Sequence, residues 1–148
     1  MTPRRAMPAD LAQVQAVVAA AFAPYVAVIG RRPAPMDADY GALVARGFAR
    51  VAVDDTAALL GFVTFWPKGD HLYLDAVAVR PEAAGRGIGR ALVGAAEAEG
   101  RALGLPEIRL YTNAAMEGNL TLYPHLGYRQ LDRRIDEGFD RVFFVKAL

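Results

Sequence analysis

Leu74 to Leu92 reads LDAVAVRPEAAGRGIGRAL. An apolar segment ends at Val79, Arg80 and Pro81 interrupt it, and Gly85, Gly87 and Gly89 then alternate immediately before a new apolar periodicity. The first segment predicts a buried strand. The second, about Gly87 to Leu103, sets Ile88, Leu92, Ala95, Ala96 and Leu103 on one face and stops at Gly104, which predicts an amphipathic helix. Three alternating glycines exceed what a tight strand-to-helix turn needs. They let backbone amides turn toward a ligand at a helix start, where the first N–H groups are unpaired and the dipole favours an anion.

Phosphate loops of two kinds fail at this position. A Walker loop needs Gly-Lys-Ser or Gly-Lys-Thr, and no lysine lies near. A dinucleotide fingerprint starting at Gly85 would place its third glycine where Arg90 stands. The loop also follows a run of strands and does not open a strand–helix–strand unit.

Upstream, Ala49 to Val53, Leu59 to Trp66 and Leu72 to Val79 are rich in β-branched and aromatic residues and are separated by short turns, as three strands of an antiparallel meander are. Before them, Pro8 to Phe22 has helical spacing and is expected to stop at Pro24. Val26 to Asp39, with Gly30, Pro33 and Pro35, reads as a loop, and Tyr40 to Arg46 as a short helix. Downstream come a strand at Ile108 to Thr112, a helix at Gly118 to Leu126, and a terminal hairpin, Tyr128 to Ile135 and Phe139 to Val145. The order predicts an α/β (α+β) fold: a mixed, mainly antiparallel central sheet with helices on both faces. There is no linker or repeat, so residues 1–148 are expected to form a single domain.

Composition narrows the function. At 148 residues, with 54% hydrophobic and 22% charged, the chain is long and apolar enough to bury a core. Seventeen basic and sixteen acidic residues leave a net charge of +1, which gives no field to attract nucleic acid. The absence of cysteine excludes thiolate nucleophiles and disulfides, and with only two histidines no metal site is expected. No signal-peptide core and no apolar run near the length of a membrane span is read, so a cytoplasmic protein is expected. All basic residues but Lys68 and Lys146 are arginine, and alanine is abundant, which fits a GC-rich bacterial genome.

The run VAVRPEAAGRGIGRAL resembles the acyl-CoA-binding segment of the GNAT superfamily of N-acetyltransferases, whose signature is Q/R-x-x-G-x-G/A. Gly87 and Gly89 match the two glycines, while the first position is Ala84. GNLTLYPHLGYRQL is similar to the family's later stretch, matching Asn119, Tyr123 and Gly127, with Tyr128 in place of the commoner Phe. The resemblance implies a GNAT-like sheet and an N-acetyltransferase that moves an acetyl group from acetyl-CoA to a primary amine of a small molecule or peptide by direct attack. It implies that the backbone from Val77 through Ala78 to Val79 pairs with the pantetheine arm, with the Val77 N–H polarising the thioester carbonyl. Amides of Gly85, Arg86, Gly87, Ile88, Gly89 and Arg90 would wrap the pyrophosphate, with Arg80, Arg86 or Arg90 near an outer phosphate. Such binding needs the strand to splay from its parallel neighbour, often at a bulge.

The transfer needs a neutral amine, an oxyanion donor and a proton for the leaving thiolate. By the resemblance, Tyr123 supplies that proton and Asn119 reaches the acyl-CoA arm. Tyr73 and Asp75 stand where some members of the family carry a base. Asp75 is the better acceptor, and a carboxylate inside LYLDAVAV otherwise needs a structural partner. The amine pocket is expected from Val26 to Tyr40, with Tyr40 and Tyr73 meeting substrate and Asp37 and Asp39 available to a cation. His71 and His125 are expected at the surface. A non-catalytic acyl-CoA-binding domain of the same fold is the alternative, and the terminal hairpin could pair with a second copy in a homodimer.

Overall fold

In chain order the elements are β1 (Arg4–Arg5), α1 (Leu11–Ile29), α2 (Tyr40–Ala45), β2 (Ala49–Val53), β3 (Leu59–Lys68), β4 (His71–Val79), α3 (Ile88–Ala102), β5 (Glu107–Asn113), α4 (Glu117–His125), β6 (Arg129–Asp136) and β7 (Phe139–Ala147). They come from a computed structural model that describes residues 2–148. The strands form one seven-stranded sheet, ordered β1-β2-β3-β4-β5-β7-β6, in which only β4 and β5 run parallel. One face buries Leu92, Val93 and Ala96 of α3 against Val63, Phe65 and Leu72. The other buries Val14, Val17 and Phe22 of α1, with Tyr40 of α2, against Val51 and Phe62. The expected mixed sheet with helices on both faces is therefore the observed one.

Two local expectations are corrected, and one strand is added to those read from the sequence. Arg4 and Arg5 form an added edge strand, paired with Val51 and Arg50. Helix α1 does not stop at Pro24 but runs to Ile29, ending at Gly30 with a φ of 87°. Pro24 removes one N–H from the ladder. It lies on the exposed side of the helix, and Tyr25 and Ile29 beyond it pack against the same core as Phe22, so burial continues past the proline. With this extension, Pro8–Ile29 spans 22 residues and is long and apolar enough by length and composition to cross a membrane, contrary to the reading of the sequence. Val14, Val17, Val18 and Phe22 of that helix are buried against the sheet.

Strand β4 carries the feature that shapes the site. On β3, Thr64 pairs with Ala76 and Phe65 pairs with Leu74, so Asp75 is the extra residue of a β-bulge. Alternation is reset there. Leu72 and Leu74 face α3, as Val77 and Val79 do beyond the bulge, whereas Ala76 and Ala78 turn to the α1 face. On its other edge β4 pairs with β5 only at Leu72–Ile108 and Tyr73–Arg109, and past Tyr73 the two strands separate.

A buried polar group joins α3 to the end of the chain. Glu97, 7% exposed, accepts from Tyr128 Oη at 2.7 Å and from Lys146 Nζ at 3.1 Å, and Lys146 also donates to the Leu126 carbonyl at 2.9 Å. The Tyr128 hydroxyl, absent from the commoner Phe of the family, thus has a defined partner. Lys146→Met would leave the carboxylate without its counter-charge, and should lower unfolding free energy by about 3 kcal/mol in urea denaturation. Adding Glu97→Gln should restore part of that loss.

Candidate active site

The separation of β4 from β5 opens a cleft with Leu74 to Val77 on one side and Tyr111 to Asn113 on the other. Alternation of N–H direction along β4 can be read from Arg80, whose N–H donates to the Leu60 carbonyl of β3 at 2.7 Å. Two and four residues back, Ala78 and Ala76 point the same way, so the N–H groups of Val77 and Val79 face the gap. Ala78, expected with its neighbours along the acyl-CoA arm, therefore has its backbone turned to β3 and its side chain in the core under α1.

At the outer end of β4, Ala84 closes a turn of 3-10 helix spanning Pro81–Ala83. Gly85 and Gly87 follow with φ of 82° and 77°, values that L side chains adopt only with strain. Gly87 caps α3 without a side-chain bond, and the first amide recorded with a partner is that of Ala91, which donates to the Gly87 carbonyl at 3.0 Å. The amides of Gly85, Arg86, Gly87, Ile88, Gly89 and Arg90 have no partner among the described residues. The Ile88 side chain anchors this loop in the core. Arg86 and Arg90 are exposed, and Arg80 donates through Nε to the Leu59 carbonyl at 2.6 Å.

Deeper in the cleft stand Asp75, Asn119 and Tyr123. The Asp75 Oδ2 accepts from Thr64 Oγ1 at 3.1 Å. Burial pushes its pKa above the usual carboxylate range, and the Thr64 bond opposes that only in part. Asn119 donates to Thr112 Oγ1 at 3.0 Å, which fixes its side chain between α4 and β5. Tyr123, one turn later on α4, is 3% exposed and lies edge-on to Tyr128. Its hydroxyl has no hydrogen-bond partner among the described residues, where no buried side-chain oxygen or nitrogen is left unpaired. The hydroxyl therefore opens onto the cleft. Burial raises its pKa, so it carries its proton at neutral pH.

The two residues expected to meet substrate do not line this cleft. Tyr40 is buried, edge-on to Phe62, and its Oη donates to the Pro35 carbonyl at 2.6 Å, so it supports the Pro33–Pro35 wall from behind. Tyr73 shares the face of Asp75 but packs in an aromatic row between Trp66 and Tyr111. Asp39 caps α2 through the Ala42 N–H, and Asp37 pairs with Arg32, so neither is a free carboxylate. Among the described residues no three His, Asp or Glu side chains gather as a metal site requires.

Arg141 was missed in the sequence. Its side chain is 3% exposed and lines the cleft between the Tyr111 and Phe139 rings. A signal existed: on β7, Phe139, Arg141, Phe143 and Val145 alternate on one face, and a charge in an apolar series needs a reason.

Comparison with known proteins follows the same line. The acetyltransferase (GNAT) family model matches residues 15–128. Comparison with curated proteins gives no match. The PaiA N-acetyltransferase of Thermoplasma acidophilum, solved in complex with coenzyme A, is 18% identical over 99% of this chain and 98% of that one, with a TM-score of 0.81. The ribosomal-protein-S18-alanine N-acetyltransferase of Escherichia coli is 17% identical over 99% of this chain and 92% of that one, with a TM-score of 0.79. The ribosomal-protein-alanine N-acetyltransferase of Brucella melitensis is 20% identical over all of both chains, with a TM-score of 0.76. These likenesses are likenesses of fold. The family match spans most of the sequence and includes both glycine and tyrosine motifs, and the chain belongs to the GNAT acetyltransferase family.

Proposed function

We propose that the protein transfers an acetyl group from acetyl-CoA to a primary amine of a small molecule or peptide, by direct attack while both are bound. The observation that carries this reading is a cleft holding a carboxylate and an unpartnered phenol, lined by the strand β4 beyond whose end six amides stand without a partner among the described residues. The amides of Gly85 to Arg90 take the pyrophosphate, and the gap-facing backbone of Val77 and Val79 takes the pantetheine arm. Asn119, held by Thr112, contacts the same arm.

Three protons are then managed by three groups. An incoming ammonium has a pKa near 10 and must lose a proton before its nitrogen can form a bond, and Asp75 accepts it, directly or through water. The Val77 N–H donates to the oxygen that gains charge as the new C–N bond forms. Tyr123 gives its proton to the sulfur as the C–S bond breaks, and is restored, directly or through water, by the second proton that the attacking nitrogen sheds as the amide forms. The upward shift of the Asp75 pKa brings its basicity closer to neutral pH, which is the direction a base needs.

Calorimetric titration with acetyl-CoA, followed by thiol-release assays over polyamines, amino acids, aminoglycosides and short peptides, tests the proposal. Acetyl-CoA binding with thiol release on at least one amine supports it. Binding with no release on any amine would favour the non-catalytic domain, and no binding would reject both.

Asp75→Asn should lower turnover about 100-fold at pH 7, within the range of general-base catalysis, and recover toward wild type as the amine deprotonates itself near pH 10. It should not destabilise the fold. Because the folded-state pKa is raised, Asp75 resists ionisation in the native chain more than in the unfolded one. The wild type therefore loses stability as pH rises from the ordinary carboxylate pKa through the raised one, and the Asn variant does not. Equal activity across the pH range would remove Asp75 from the mechanism.

A further inference from the structure

We propose that Arg141 is the specificity-determining residue for the acceptor, and that the acceptor is a small amine that also carries a carboxylate. The inference rests on the acetyl-transfer reading and names the substrate class of that site.

Arg141 is a built recognition group. Its side chain is 3% exposed, its guanidinium lies 4.1 Å from the Tyr111 ring centroid and 5.0 Å from that of Phe139, and it lines the cleft that contains Asp75. Both of its ion pairs use one nitrogen: Nη1 donates to Asp136 Oδ2 at 2.9 Å and to Glu137 Oε2 at 3.4 Å. The other edge, Nε with Nη2, has no partner among the described residues, where no buried side-chain nitrogen or oxygen is left unpaired. That edge is therefore in contact with the open space of the cavity. It is also the edge that a carboxylate engages through two parallel N–H···O bonds.

The two acidic residues do not satisfy this edge. Asp136 and Glu137 are 39% and 77% exposed and sit at the Nη1 end, so they orient the guanidinium while water screens their charge. The two rings prevent rotation out of the site. A second guanidinium, Arg31, stacks at 3.6 Å on Phe139 and donates to the Glu137 carbonyl, in a neighbouring pocket that shares Ala34, Ala38 and Phe139 with this cleft.

The register gives the spacing. Arg141 pairs with Asn113 of β5, and Tyr73 of β4 pairs with Arg109. Asp75 and Arg141 thus lie two strands apart, at least about 10 Å between backbones, and both line the cleft together with Tyr111. A short bifunctional molecule spans what remains, its amine at Asp75 and its carboxylate at Arg141. An acceptor lacking the carboxylate leaves the free edge of a buried guanidinium facing an apolar group, which is a strong basis for rejection.

The test compares α-, β- and γ-amino acids with their carboxamides and with the decarboxylated amines, using wild type and Arg141→Lys, with calorimetry in the presence of CoA beside thiol release. Wild type should bind and acetylate at least one carboxylated amine about 10- to 100-fold better than its carboxamide, the range of a charge-assisted bidentate pair. Arg141→Lys keeps the charge and loses the planar fork, and should collapse that preference toward unity. Equal binding of amines with and without a carboxylate by wild type would overturn the proposal, whether or not the variant folds, as would a preference unchanged in Arg141→Lys. Carboxylate-selective binding without thiol release would instead keep the role of Arg141 and reject acetyl transfer.

Discussion

Tyr123→Phe is expected to lower kcat about 10- to 1000-fold while acetyl-CoA affinity stays nearly constant. The substitution keeps a ring packed against Tyr128 and Phe144 and deletes only a hydroxyl that has no hydrogen-bond partner among the described residues. Stability should therefore barely change, which separates this residue from a core tyrosine whose hydroxyl is satisfied. The effect falls on kcat because the leaving sulfur needs a proton only as the C–S bond breaks. The raised pKa keeps that proton available across the neutral range, so no alkaline fall from Tyr123 should appear in the rate profile near neutral pH. Steady-state thiol release on any accepted amine decides it. Full activity in the Phe variant would leave water as the donor.

The double variant Gly87→Val/Gly89→Val should weaken CoA binding at least about 100-fold in calorimetry, because losing two charge-assisted bonds of about 1.5–3 kcal/mol each reaches that size. The two positions act differently. At Gly87, with a φ of 77°, a β-branched residue is driven out of the left-handed region and re-aims the amides that follow it. At Gly89 the backbone is helical and a Cβ would sit 3.8 Å from Val79, an ordinary contact, so the damage there is bulk beside the amides. Among the described residues, chain neighbours aside, nothing lies within 4 Å of a Cβ at Gly87, so the fold should survive, as circular dichroism would verify. Unchanged CoA affinity in the folded variant would sink the loop assignment.

Local chemistry made much of this architecture readable. The strand–glycine–helix sequence at Leu74 to Leu92 and the tyrosine on α4 announce themselves, because each depends on residues adjacent in the chain. What could not be read depends on partners distant in the chain. Pro24 signals a helix end, yet Tyr25 and Ile29 pack, half-buried, against a core the local sequence does not describe. The bulge at Asp75 exists only in the pairing of β4 with Thr64 and Phe65, and nothing in LYLDAVAV marks it. Tyr40 and Asp39 look like loop groups free for a ligand until the Pro35 carbonyl and the Ala42 amide occupy them. Arg141 reverses the case, since its alternation with phenylalanines was visible and its place against Tyr111 was not.

The parting of β4 from β5 also has a consequence for solvent exchange along the sheet. Val77 and Val79 sit in a central strand whose other edge is laddered to β3 on both sides of the bulge, and such strands ordinarily hold the slowest amide protons of a domain, released only by global opening. Here two amides of that strand meet no carbonyl across the gap. Their deuterium uptake is governed by water entering the cleft and not by unfolding, so a central strand of the sheet contains two fast reporters. Any molecule that occupies the gap is registered there first, as protection gained at sites whose backbone need not move at all.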